Sequence, residues 1–235
     1  MSDKEYLSPN MSKKIAAITK YFTIFAVVLV ALLFVKNIFD KKKFKASNVS
    51  KAALFQAELN EYETADDLFK VLDFAKVKEW DQNKKNNYIA SLEKVSSEHP
   101  GSIAAIQANL KLARLHFELG DVEKSKENYL KIVNAKEIQE AKVYQVLACD
   151  SLGIISENEK NFQQALKYYE QADALNQIAL APMVKMGKAR NLTAIGQKDE
   201  AVKVLQEIID NYPKSSFSDK AKSFQALVSA NKIAI

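Results

Sequence analysis

The stretch CDSLGIISENEKNFQQALKYYEQA, residues 149–172, reads as two helices joined by a polar turn. Apolar residues recur every three or four positions on both sides of ENEKN, which is the spacing of a helix that buries one face. Leu152-Gly153 sets a large residue beside a small one on the first helix, and Ala165, Tyr169 and Ala172 mark one face of the second. The frame returns along the chain. In QKDEAVKVLQEI (197–208) the three places hold Ala201, Leu205 and Ile208. In DVEKSKENYLKI (121–132) they hold Ser125, Tyr129 and Ile132, and in NKKNNYIASLEKV (83–95) Tyr88, Leu92 and Val95. The first of these places recurs at intervals of 37, 40 and 36 residues.

The punctuation recurs as well. SEHPGS (97–102) and DNYPKSS (210–216) each follow an apolar-periodic run. Proline lacks an N–H and its ring clashes with the preceding turn, so Pro100 and Pro213 each close a helix. Ser102, and Ser215 or Ser216, can then cap the next one. Gly120-Asp121 reads as the turn inside a pair, and its glycine recurs as Gly196. Helix pairs at this period resemble the tetratricopeptide repeat, whose usual length is about 34 residues. The family pattern places a large residue, Leu-Gly and an aromatic on the first helix, then Ala, an aromatic and Pro on the second. Cys149, Leu152-Gly153, Ser156, Ala165, Tyr169 and Ala172 occupy the corresponding slots here. The intervals are longer than the family norm, and Trp never fills the large slot.

The resemblance implies an all-α solenoid of antiparallel helix pairs within residues 47–235. A diverged pair at 47–100, whose opening helix is drawn from 47–80, precedes three repeats at about 101–135, 140–176 and 181–213. A capping helix at 215–231 ends the array. Composition agrees with helix: the chain holds only five glycines and four prolines, too few for the turns of a β-rich protein.

Residues 1–45 carry nine lysines against three acids, and the remaining residues are close to balanced. A nucleic-acid surface needs a basic face on the folded part, so none is expected. Within the N-terminal segment, YFTIFAVVLVALLFV (21–35) has no charge. Extended through 15–39 it reaches the roughly twenty residues that a bilayer requires, with Lys20 and Lys36 near the interfaces. The expected order is therefore a tail (1–20), an overlapping single-pass anchor (15–39) and a basic linker (40–46). A cleaved signal is the alternative; Phe44, three residues before a cut after Ala46, is too large for it. Four lysines (4, 13, 14 and 20) precede the apolar run, and five (41, 42, 43, 45 and 51) follow it beyond Lys36 at its border. That tally leans toward the repeats on the cytoplasmic side.

Little in the chain suggests chemistry. A zinc or His-based catalytic site needs clustered ligands, and the chain has only His99, His116 and Cys149. No glycine pattern for a nucleotide is present, so neither enzyme activity, cofactor nor metal is expected. Proteins are the expected partners, held on the first helices of the pairs. By register the groove candidates are Gln107, Leu110, Arg114, Phe117, Ile154, Glu157, Met183, Met186 and Arg190. Arg114 and Arg190 are the only arginines among 34 basic residues, and each follows an alanine of a first helix. A guanidinium fork suits a carboxylate, so the pair is a candidate for an acidic group on a partner. The alternative is internal pairing with acids such as Asp150 or Glu157. Chaperone-docking members of the family carry a Lys/Asn clamp; Leu110 and Arg114 stand at the corresponding places, so that clamp is not indicated.

A short Lys-bearing tail, one anchor, the helical stretch SKAALFQAELNEY (50–62), HPGS and the repeats together resemble the ancillary subunit of the bacterial Sec translocon, the YfgM-type inner-membrane proteins. That resemblance implies an N-terminus in the cytoplasm and repeats in the periplasm. There they would meet translocon subunits, periplasmic chaperones and unfolded substrates. Adaptors for envelope or cell-division assembly, and cytoplasm-facing adaptors, share the same sequence features.

Overall fold

The computed structural model describes residues 36, 40–42, 45–54, 74–135 and 139–230. The chain divides into two units, 1–49 and 50–235. In the first, the described residues are helical, including those of the expected linker. Among the described residues no helix is long and apolar enough to cross a membrane. The span expected at 15–39 lies outside them except for Lys36.

Residues 45–54 are helical (α1). A 3-10 helix, Phe74–Glu79, precedes α2 (Gln82–Glu98). Of the stretch 47–80 from which the opening helix is expected, residues 55–73 lie outside the described ones, 47–54 are α-helical and 74–79 form the 3-10 turn. Asp81 restarts the chain by accepting from the Lys84 N–H at 2.8 Å, an N-cap that fixes where α2 begins. Trp80 meets the ring of Tyr88 edge-on at 5.7 Å between centroids. Then come α3 (Ile103–Glu118), α4 (Val122–Val133), α5 (Lys142–Asn158), α6 (Phe162–Ala174), α7 (Ala181–Ala194), α8 (Lys198–Asn211) and α9 (Ser216–Ser229).

Burial follows the repeated frame. Ser125, Ala165 and Ala201 are each wholly enclosed, as are Tyr169, Leu205, Ile132 and Ile208. A small residue lets the second helix approach its neighbour, and the large residue one turn on fills the space between them. Each fully buried large side chain contributes about 1.5–3 kcal/mol, so every pair depends on these few positions. The first helices of successive pairs also touch: α3 packs on α5, α5 on α7, and α7 on α9. Stacking in this manner lets each pair bury its apolar face against the next.

The turns within the three pairs are built alike. Asp121, Asn161 and Gln197 each donate an N–H to the carbonyl five residues back, on His116, Ser156 and Leu192, all at 2.8 Å. The residues just before them, Gly120, Lys160 and Gly196, donate to the carbonyl three back at 2.9–3.0 Å. These two bonds define a Schellman ending, which needs a left-handed residue. Gly120 and Gly196 supply it at φ 82°, and Lys160 supplies it at φ 59°. Asp121 and Asn161 then cap the second helix through their side-chain oxygens. At the helix starts after Pro100 and Pro213, Ser102 Oγ accepts from Ala105 N–H at 3.0 Å and Ser215 Oγ from Phe217 N–H at 3.2 Å.

Between the first two repeats, Gln145 Nε2 donates to the carbonyls of Val133 and Ala135 at 3.4 and 3.1 Å. A buried amide thereby satisfies carbonyls left over at the end of α4. At the far end, α9 covers α7 and α8 with Ala221 and Val228, and with Phe217 and Phe224 partly buried beside them.

Candidate functional site

The inward row of α5 is read from its exposure. Val143, Leu147, Asp150, Ile154 and Glu157 follow the three- and four-residue spacing of one helix face, and none is fully buried. Gln107, Leu110, Arg114 and Phe117 form the matching row on α3, and Met183 and Arg190 on α7. Two links show that these rows face one another. Gln107 Nε2 donates to the Tyr144 hydroxyl at 2.6 Å, joining α3 to α5. Glu157 and Arg190 join α5 to α7. The offset of the first link places Phe117 level with Ile154 and Leu110 level with Leu147. The offset of the second places Asp150 level with Met183.

Phe117, Ile154 and Val143 leave 40, 40 and 42% of their surface open. Leu110 and Met183 are partly buried against the core. Met186 differs from the sequence expectation: it is 92% enclosed, packed among Ala189, Leu192 and Leu205, and lines no surface. On α7 Lys185, Lys188, Arg190 and Asn191 are interspersed with apolar residues, so periodicity alone does not separate its core side from its open side.

Arg190 Nη2 donates to both oxygens of Glu157 at 3.1 and 3.2 Å, and Nε to Oε2 at 3.4 Å. Asn191 Nδ2 adds a bond to Glu157 Oε1 at 2.6 Å and another to the Gly187 carbonyl at 2.8 Å. The guanidinium also reaches the Tyr169 hydroxyl at 3.4 Å. The fork of Arg190 is therefore filled from within the chain, the internal pairing that the sequence left open. A carboxylate from a partner would have to displace Glu157 to use it. Arg114, at the equivalent place two repeats earlier, is exposed.

Asp150 behaves differently. It makes no ion pair and no side-chain hydrogen bond with any described residue. Burial pushes its carboxyl up to about 6; the Arg190 guanidinium offsets part of the rise and Glu157 adds to it. The sequence frame marked Asp150 only as a possible internal partner for an arginine. Its place in the inward row, four residues before Ile154, is the signal that identifies it as a surface group.

The remaining titratable side chains do structural work. His116 is buried, and desolvation lowers its imidazole below the ordinary range against the pull of Asp121. Cys149 is fully enclosed, and burial pushes its thiol up to about 12, so it is inert at neutral pH. Among the described residues no cluster of His, Cys, Asp and Glu could hold a metal. A cleft of about 510 Å³ opens at the α6–α7 turn, lined in part by Asp173, Ile178, Lys185 and Tyr212. Lys185 is bridged there by Asp173 and Glu207 at 3.5 and 2.7 Å, so its charge is met internally.

Paired antiparallel helices, stacked so that first helices line one side, define a helical-repeat binding protein. Residues 106–144 and 146–178 match one tetratricopeptide-repeat model, and 183–215 match a second. These segments are tetratricopeptide repeats, and such repeats mediate contacts between proteins. The matching models describe a repeat and no catalytic domain. Compared with curated proteins and with solved structures, the chain matches none at a significant level.

Proposed function

We propose that the chain is a membrane-anchored scaffold of the bacterial inner membrane, with its repeats in the periplasm beside the Sec translocon and its chaperones. The observation that carries the scaffold reading is the row formed by Phe117, Val143 and Ile154, large apolar side chains held open on the first helices of tetratricopeptide repeats. Anchoring rests on the uncharged run 21–35, and the place of work on the resemblance to YfgM-type proteins. Tethering would concentrate the groove at the membrane surface, so that weak contacts with membrane partners suffice.

The lysines that follow the apolar run favour a second reading, an adaptor with its repeats in the cytoplasm. One experiment separates the two. Cys149 is buried and unreactive, so a cysteine introduced at exposed Lys222 reports alone. A membrane-impermeant maleimide added to intact spheroplasts labels it if the repeats are periplasmic. Labelling only after lysis means that they face the cytoplasm. Recovery of the full-length chain in the aqueous fraction would remove the anchor from both readings. Photocrosslinkers at Phe117 and Ile154 in living cells then identify the partner, and capture of translocon or chaperone subunits is the expected result. Capture of envelope or division proteins alone would favour the other adaptor class.

A further inference from the structure

We propose that the inner face of the second repeat receives a basic side chain, Lys or Arg, carried on a polypeptide segment with apolar flanks. The cation reaches the Asp150 carboxylate, and the flanks lie on Val143, Ile154 and Phe117. This rests on the scaffold reading and assigns the chemistry of its partner.

The argument is one of charge left unmatched. Two acids stand in the inward row of α5. Glu157 already accepts from Arg190 and Asn191. Asp150 accepts from no described side chain, although its surroundings are partly desolvated. A carboxylate in that condition has lost part of its hydration and gained no partner in return, so a donor delivered from outside supplies what the fold withholds. The sign is fixed by the same comparison. Of the arginines on the flanking helices, Arg190 is held in the Glu157 fork and Arg114 on α3 makes no ion pair with Asp150, which leaves this carboxylate to satisfy. One turn away on either side of Asp150 lie Leu147 and Ile154, so the incoming cation must be flanked by apolar groups. Aliphatic stems of Lys and Arg suit such a path because they lie along apolar surface up to the charged head.

The charged and titratable groups around Asp150 are Arg190 on α7, Arg114 on α3, Glu157 on its own helix, Tyr129 on α4 and Tyr169 on α6. Burial raises both phenols, so they stay neutral through the range in which Asp150 changes charge.

The test uses the full-length chain in mild detergent and three labelled peptides, identical in their Leu- and Phe-containing flanks and differing only in a central Lys, Gln or Glu. Fluorescence anisotropy should rank them Lys, then Gln, then Glu, with about a tenfold step between Lys and Gln at pH 7.5, the size of one charge-assisted bond. Asp150→Asn should erase the step, and Asp150→Glu should keep most of it; circular dichroism of each variant checks its fold. The Lys preference of the parent chain should fade below about pH 6, whereas Asp150→Asn shows no such change. Binding of all three peptides with equal affinity, or with Glu foremost, overturns the charge assignment and leaves the scaffold reading standing. Absence of binding by any peptide, together with no crosslink from Phe117 or Ile154 in cells, overturns both.

Discussion

Gly187 faces the ring of Tyr169 so closely that a Cβ on the glycine would stand 2.2 Å from Cε1. Gly153 closes on the other part of the same ring, where a Cβ would come within 2.7 Å of Cζ. The phenol of α6 is thus seated between two first helices, and only a hydrogen at each Cα makes room for it. Alanine ordinarily favours a helix interior over glycine by about 1 kcal/mol. Here Gly187→Ala should destabilise the protein by about 2–3 kcal/mol in urea unfolding, the usual cost of overpacking. Combining it with Tyr169→Leu should cost less than the sum of the two single changes, because the second removes the obstruction met by the first.

Lys160 takes the left-handed place that Gly120 and Gly196 fill in the other two repeats. A side chain there costs about 1–2 kcal/mol relative to glycine, partly offset by the greater freedom of glycine in the unfolded chain. Lys160→Gly should therefore stabilise by about 0.5–1 kcal/mol, while Gly196→Ala should destabilise by a similar or larger amount. The midpoint of urea unfolding checks both; destabilisation by Lys160→Gly would contradict the account of this turn.

The Glu157–Arg190 pair ties the second repeat to the third, with 44% of the arginine side chain open to solvent. Screening at that exposure limits its worth, and a double-mutant cycle with alanine should give a coupling of about 1 kcal/mol that shrinks in high salt. Arg190→Lys keeps the charge and loses the fork, so it should recover less than half of that coupling. A cycle giving no coupling at low salt would show that the contact contributes nothing to the junction.

Asp150 should make stability depend on pH in a direction opposite to most carboxylates. Its folded-state value, about 6, lies above the ordinary carboxyl range near 4. The folded chain then holds the proton more tightly than the unfolded chain, so this group favours folding below about pH 4 and loses that contribution as pH rises through 6. Asp150→Asn should accordingly raise stability at pH 7.5 by about 1 kcal/mol and leave it nearly unchanged at pH 4, allowing for partial exposure. Unfolding curves at the two pH values decide it; equal effects at both would contradict the burial of this carboxyl. A residue kept at a cost to stability is consistent with one reserved for binding.

The repeat frame was legible because burial dictates it. Ala165, Tyr169 and their counterparts are enclosed, and a small residue followed by a large one is a pattern that sequence comparison sees directly. The turn at Lys160 was less legible, since its signal in the other repeats is glycine and the hydrogen-bond pattern that replaces it leaves no mark on composition. For the groove, helical spacing pointed to Phe117 and Ile154 but could not tell Met186, which is buried, from Met183, which is partly open. The sign of the site was also hidden. Arg190 stood out as a rare residue type, yet its fork is occupied, and the acid left without a donor is Asp150, which the sequence marked only as a possible partner for an arginine.

Tyr169 is rooted in the second helix of its pair, and its enclosed hydroxyl reaches Arg190, whose side chain stands on the opposite side of the array. The two sides of this solenoid are therefore mechanically continuous at that point. A substitution on the outer helices that tilts the phenol would reposition the guanidinium and reshape the inner surface, even though the altered residue touches no ligand. Loss of partner capture in a variant changed only on the outer side would thus be no proof that the partner docks there.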